Sequence, residues 1–245
     1  MTTRAALSVS KPKVEGARRV GILVFDEVEV LDFAGPFEVF SVTREPEPAA
    51  SNATKPFDVS LIGLTGASVL TVGGMQVMPA WTLANCPKLD ILVVPGGWGT
   101  RRLIEHAELR QWLQTRAQEV ELLTSVCTGS LLLAAAGLLD GRRATTHWKA
   151  LDTLAQLRPA VMVVRDQHVV EEGTILTSAG ISAGIDMALR VVARLCGEAV
   201  ARATAQQMEY AYPEANARRV DAGVAGSRVP SPAVSPVGTS TPGTR

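Results

Sequence analysis

The sequence predicts an α/β domain built on a mostly parallel sheet with helices on both faces. Three observations support this. Runs of Val, Ile and Leu recur without polar alternation, as in "RVGILVF" (19–25), "LDILVVPGG" (89–97) and "VELLTSV" (120–126). Strands buried on both faces read this way, whereas half-exposed strands alternate. Helix-period segments separate the runs, which is the βαβ order of a parallel sheet. The chain is also 47% hydrophobic but only 4% aromatic, so its core is aliphatic.

Each element follows in order. "RVGILVF" is a buried strand, and "GPFEVFSVT" (35–43) is a helix opening with Pro36 near its first turn. "PFDVSLIGL" (56–64) is a second strand, and "SVLTVGGMQVMPA" (68–80) a hairpin turning at Gly73-Gly74. "LDILVVPGG" is a third buried strand that ends in a glycine loop. "HAELRQWLQTRAQ" (106–118) is a helix with Leu109, Trp112, Leu113 and Arg116 on a shared face. "VELLTSV" is the fourth strand, and the helix of "SLLLAAAGLL" follows it. "HWKALDTLAQL" (147–157) is a helix and "TILTSAG" (174–180) a strand. "SAGIDMALRVVARLCG" and "EAVARATAQQMEY" close the domain as helices broken at Gly197.

The ends differ from this core. Residues 1–17 are polar and mixed, and 18–212 carry the domain. Residues 213–245 form a tail rich in Pro, Ser and Gly, densest from Ala222, which buries too little apolar surface to order itself. No apolar run approaches the roughly 20 residues of a bilayer span, and residues 1–16 lack the core of a signal peptide. A cytoplasmic protein is expected. The 24 Lys and Arg balance the 24 Asp and Glu, which gives no electrostatic footprint for nucleic acid or an anionic membrane. Cys86, Cys127 and Cys196 show no CxxC spacing, so neither a disulfide framework nor a zinc site is expected.

In open parallel sheets, ligands bind at the carboxyl ends of the strands. "DEVEVLDFAGP", "PGGWGT" and "SVCTGS" all lie there. Cys127 stands at a strand–helix elbow, where the N–H groups of the helix start would lower a thiol pKa. Most cysteines are inert core residues, and position alone does not decide between the two. Asp32, beside Leu31 and Phe33, is a candidate proton partner because desolvation would disfavour its charged form. Its rival role is a cap for the helix at Pro36. His147 is the other candidate, with a plainer role as a polar residue near a helix start.

Other signals fail. "GISAG" (180–184) matches a nucleophile elbow, but no histidine follows Ser182, so the chain order of that hydrolase triad cannot be completed. Close packing of helix on strand explains it. "PGGWGTRR" fits neither a dinucleotide fingerprint nor a phosphate loop. In "QHVVEE" a strand would send His168 and Glu171 to opposite faces, which argues against a metal site.

The order and spacing of "GILVFDEVEVLDFAGPFEVF", "LDILVVPGG", "SVCTGSLLLAAAGLLDGRRATTHW" and "TILTSAGISAGIDMALRVVARL" resemble the ThiJ/PfpI superfamily over nearly all of residues 19–210. The resemblance implies a flavodoxin-like α/β sandwich of the class I glutamine amidotransferase type, usually a homodimer. It implies a nucleophilic Cys127 at a strained elbow and a partner carboxyl at Asp32. Protease-like members carry a histidine after the cysteine, where this chain has Thr128. Aspartate at position 32, with "VCTGS", "ATTHW" and "TSAGISAGID", looks like the isonitrile hydratase group. That group adds water to an isonitrile to give a formamide and uses no metal or organic cofactor. Thr128 and the Gly97 N–H are then expected to steady polar intermediates. Similar motifs occur in sensor domains of AraC-type regulators, which carry an additional helix-turn-helix region. A non-enzymatic redox or small-molecule sensor, or a cysteine hydrolase or glyoxalase-type enzyme, are the other readings of the same residues.

Overall fold

The structure is a computed structural model that describes residues 16–45 and 54–221. Most of the expected N-terminal extension and the tail from Ala222 lie outside those residues. In chain order the elements are β1 (Arg18–Val24), α1 (Val30–Val42), β2 (Phe57–Gly63), β3 (Val69–Leu70), β4 (Gln76–Val77), β5 (Trp81–Thr82) and β6 (Ile91–Val94). There follow α2 (Thr100–Leu103), α3 (Ala107–Glu119), β7 (Leu122–Val126), α4 (Gly129–Ala135), β8 (Arg143–Ala144) and α5 (Leu151–Leu157). The chain closes with β9 (Met162–Val163), β10 (Val169–Glu172), β11 (Ile175–Ser178), α6 (Ala183–Cys196) and α7 (Glu198–Gln207).

One seven-stranded sheet organises the domain, in the order β10-β11-β7-β6-β1-β2-β5. All its pairings are parallel except β10 with β11. The continuous Val/Ile/Leu runs are the central strands: Ile91 to Val94 and Leu122 to Val126 are buried at every position. Helices on both faces leave no side of these strands to water, so polar alternation has no place in them. The architecture is flavodoxin-like α/β, as expected.

Order reverses at β1. The chain steps from β1 to β2 on one side, then returns to place β6 and β7 on the other. Such a reversal opens a crevice beyond the carboxyl ends of the strands. The loops after β1, β6, β7 and β11 all meet there.

Two boundaries differ from the sequence reading. α1 begins at Val30, not Gly35, which places Pro36 inside the helix and Asp32 in its first turn. Pro36 has no N–H to give the carbonyl of Asp32. The run "VLDFAG" reads as loop beside a proline, but Val30, Phe33 and Ala34 pack against the core, and packing outweighs the local signal. Residues 213–221, read as part of the tail, are placed against the domain. Asn216 exchanges side-chain hydrogen bonds with the backbone of Val169 at 3.0 and 2.8 Å, and Gln167 bridges to Ala217. This strap covers the outer edge of the sheet at β10, where unpaired backbone groups need partners.

The strap is anchored by charge. Asp186 on α6 is fully buried, and its Oδ1 accepts the Tyr210 hydroxyl at 2.8 Å. Its Oδ2 lies 2.6 Å from the Arg219 guanidinium and 3.1 Å from His168 Nε2. Among the described residues no group of three or more His, Cys, Asp or Glu is placed to hold a metal, and no helix is long and apolar enough to cross a membrane.

Candidate active site

Cys127 sits between the end of β7 and the start of α4 with φ 56°, in the left-handed region that non-glycine residues rarely adopt. Its surroundings impose that conformation. Its N–H reaches the carbonyls of Ala179 and Ser178, at 3.0 and 3.3 Å, at the end of β11. Its own carbonyl accepts the hydroxyls of Thr146 (2.9 Å) and Ser130 (3.2 Å). Strain over-determined in this way is characteristic of functional turns. The small residues after it are required: a Cβ on Gly129 would lie 2.0 Å from the Val94 carbonyl oxygen.

Asp32 comes to the same place from α1. It is fully buried, and its Oδ2 accepts the N–H of Gly96 at 2.9 Å, while its Oδ1 has no partner. The helix-cap role therefore does not describe it: the N-cap of α1 is Glu29, and Asp32 turns inward. Burial pushes its carboxyl up to about 7, against the pull of the Gly96 N–H and the Cys127 thiol. Nearby Glu29 adds to the rise. Gly96 has to be glycine for this approach, since a Cβ there would meet Thr128 N at 2.5 Å and Asp32 Oδ2 at 2.9 Å.

The thiol does not behave as its helix-start position suggests. Burial, followed by the Asp32 carboxylate, pushes Cys127 well above the ordinary thiol range. The N–H groups of Thr128 and Ile181 pull the other way and are outweighed. The expected low thiol pKa is corrected: α4 has only seven residues, and desolvation beside a carboxyl dominates its field. The buried thiol and carboxyl act as one coupled pair.

Thr128 ties the elbow to the glycine loop. Its Oγ1 accepts the Gly97 N–H at 3.0 Å, and the Thr100 hydroxyl lies 3.2 Å away. The Gly97 N–H, expected to face substrate, is thus already given to Thr128. Gly97 has φ 128°, and a Cβ there would lie 2.2 Å from the Glu27 carbonyl oxygen. Its place is fixed by the loop crossing over it.

His147 takes the plainer role and also faces the site. Its Nδ1 accepts the Lys149 N–H at 3.2 Å, capping the turn at Trp148–Ala150, so the neutral ring carries its proton on Nε2. Burial, then the charges of Lys149, Arg218 and Arg101, lower its pKa. A cleft of about 200 Å³ over Cys127 is walled by Glu29, Trp98, Arg101, His147, Lys149 and Ile181.

The sequence reading missed Ile181. It has φ 54°, and its N–H faces both the Cys127 thiol and the Asp32 carboxyl. The register explains this: β11 lies beside β7 with Ser178 opposite Val126, so the turn after one strand adjoins the turn after the other. The packing role of "GISAG" also holds, because a Cβ on Gly184 would press on Val126 at 3.0 Å.

Comparison with known proteins places this geometry. Residues 18–194 match the DJ-1/PfpI family. The chain is 38% identical to the isonitrile hydratase of Pseudomonas putida over 195 residues, covering 80% of this chain and 79% of that protein. It is 36% identical over 147 residues to the HTH-type transcriptional regulator CdhR of Pseudomonas aeruginosa, covering 60% of this chain and 43% of the regulator. A crystal structure of a ThiJ/PfpI family protein from Pseudomonas syringae superposes with a TM-score of 0.70 at 29% identity, over 88% of this chain and 85% of that one. The relatives thus include both an enzyme and a regulator. With the family's model matched over residues 18–194, most of the chain, the chain belongs to the DJ-1/PfpI family.

Proposed function

We propose that this protein hydrates isonitriles, converting R–N≡C and water to R–NH–CHO, with Cys127 as nucleophile and Asp32 as proton carrier. The observation that carries the reading is the buried pair: a thiol and a carboxyl, one carboxyl oxygen unpartnered, under a cleft of small-molecule size. The likeness to an isonitrile hydratase over four fifths of the chain supports it.

The chemistry follows from the proton inventory of the pair. Moving the thiol proton to the Asp32 carboxylate keeps one negative charge in the site, so thiolate and carboxylate never coexist. The sulfur attacks the terminal carbon and forms a C–S bond. Protonated Asp32 delivers its proton to that carbon, giving the thioimidate R–N=CH–S–Cys127. Asp32, again a carboxylate, takes a proton from water as the oxygen adds to the carbon, and the proton passes to nitrogen. Collapse breaks the C–S bond, the hydroxyl proton returns to sulfur through Asp32, and R–NH–CHO leaves. The N–H groups of Thr128 and Ile181, which face the sulfur, steady its negative charge during attack and departure. Thr128 and Gly97 act as positioning residues through the bond that joins their loops.

A redox sensor of the same fold needs an exposed thiol of lowered pKa. Cys127 is 6% exposed and lies beside a buried carboxyl able to take its proton, which favours the enzyme. The test is formamide production from a simple isonitrile. Multiple turnovers abolished by Cys127→Ala are expected, and no turnover from folded native protein would sink the reading.

A further inference from the structure

We infer that the cleft over Cys127 is built for an anionic substrate, an isonitrile whose organic group carries a carboxylate. This inference rests on the hydratase reading for its chemistry and on the charge of the cleft for its selectivity. Arg101 and Lys149 line the same cleft as Cys127, and Arg218 lines the adjoining one, which shares His147 and Ile181 with it. The positive charges of all three converge on His147.

Their clustering marks them out. Other cations among the described residues, such as Arg19, Arg44 and Arg194, also rest on neutral acceptors, but they line neither cleft. Among the described residues, no carboxylate lies within 4.0 Å of Arg101, Lys149 or Arg218. Neutral groups make the close contacts that hold each in place, and the Asp166 carboxylate acts on Arg218 only from farther off. The Arg101 guanidinium lies 4.7 Å over the Trp98 ring and donates to the Gly97 carbonyl at 2.9 Å. The Lys149 ammonium lies 5.0 Å over the Trp148 ring. Arg218 is half-buried and donates to the carbonyl of Arg165 (2.7 Å), the hydroxyl of Thr145 (2.6 Å) and the carbonyl of Thr146 (3.1 Å). Cations fixed by aromatic faces and neutral acceptors keep their charge available to a ligand.

This excess is local, because the chain as a whole carries no net charge. Glu29 is the one acid in the lining of the cleft, and it acts on Asp32 rather than on His147. The cations are not arranged around the sulfur either: burial, Asp32 and the N–H groups of Thr128 and Ile181 dominate the thiol. The positive region therefore serves the far end of a bound molecule. A cleft of about 200 Å³ has room for a small acid.

Two measurements on the full chain test this. The first compares hydration of isocyanoacetate with that of its neutral methyl ester. The second compares alkylation of Cys127 by iodoacetate and by iodoacetamide, read on the Cys127 peptide by mass. The acid is expected to show the larger kcat/KM. The iodoacetate-to-iodoacetamide rate ratio is expected to fall about three- to tenfold in Lys149→Met and in Arg218→Gln, and also on adding salt, while Arg218→Lys keeps most of it. An ester hydrated as well as the acid overturns the inference and leaves the hydratase reading intact. If neither isonitrile turns over but alkylation shows the expected preference and its loss, the hydratase reading fails and the anion-selective cleft stands. No turnover and no preference overturns both.

Discussion

The hydroxyl oxygen of Thr128 accepts the N–H of Gly97 at 3.0 Å, and through that contact the cysteine elbow and the glycine loop hold each other. Arg101 reaches the same oxygen at 3.5 Å. Replacing Thr128 by Val leaves the Gly97 N–H buried without its acceptor. A loss of about 1–3 kcal/mol is expected from urea unfolding, with Thr128→Ser restoring most of it. A Val variant as stable as the native protein would remove this tie from the account of the site.

Asp32→Asn is expected to abolish turnover and to stabilise the fold. The folded carboxyl has its pKa raised from 3.8 to about 7, so its contribution to stability is fully present below the unfolded value and is lost as pH rises through the folded one. The cost of burying this carboxyl therefore builds between about pH 4 and pH 7 and is constant above that, and asparagine removes it. The gain is roughly 2–4 kcal/mol at pH 8 and vanishes near pH 4. Thermal unfolding at the two pH values checks it.

The same carboxyl sets the pH dependence of the rate. Its ionised form takes the thiol proton, so kcat/KM is expected to rise through about pH 7. Because burial and Asp32 raise the thiol, no second limb from a lowered thiol pKa is expected on the acid side. A rise centred near pH 5 would show that the thiolate forms independently of Asp32.

Asp186 supports the C-terminal strap through Tyr210, Arg219 and His168. Asp186→Ala leaves the Tyr210 hydroxyl and the Arg219 guanidinium without their buried acceptor, with an expected loss of about 1–3 kcal/mol. Limited proteolysis should then cut within 210–221 sooner than elsewhere. Unchanged protection of that segment would mean that Asn216 and Arg218 hold it alone.

Much of this was legible in the chain. The runs at 19–25, 89–97 and 120–126 read as β1, β6 and β7 because strands dry on both faces need apolar residues at every position. Asp32 and Cys127 stood out because both follow such strands. What stayed hidden depends on distance rather than pattern. The start of α1 at Val30 is set by packing, and the role of Ile181 by the register of β11 on β7. The thiol pKa was read with the wrong sign because local helix position was visible and burial was not. Arg218 lay in a stretch whose composition suggested disorder, and hydrogen bonds formed far along the chain order it.

That last placement has a thermodynamic consequence. The strap bearing Arg218 lies at the rim of the sheet and is held by a handful of polar contacts, whereas Cys127 is anchored among central strands. Segments with few buried apolar contacts open in separate, less stable cooperative units. Partial opening of the strap would thus strip one cation from the cleft while the elbow stays folded. On gentle warming, discrimination between acidic and neutral molecules should fade at a lower temperature than turnover itself.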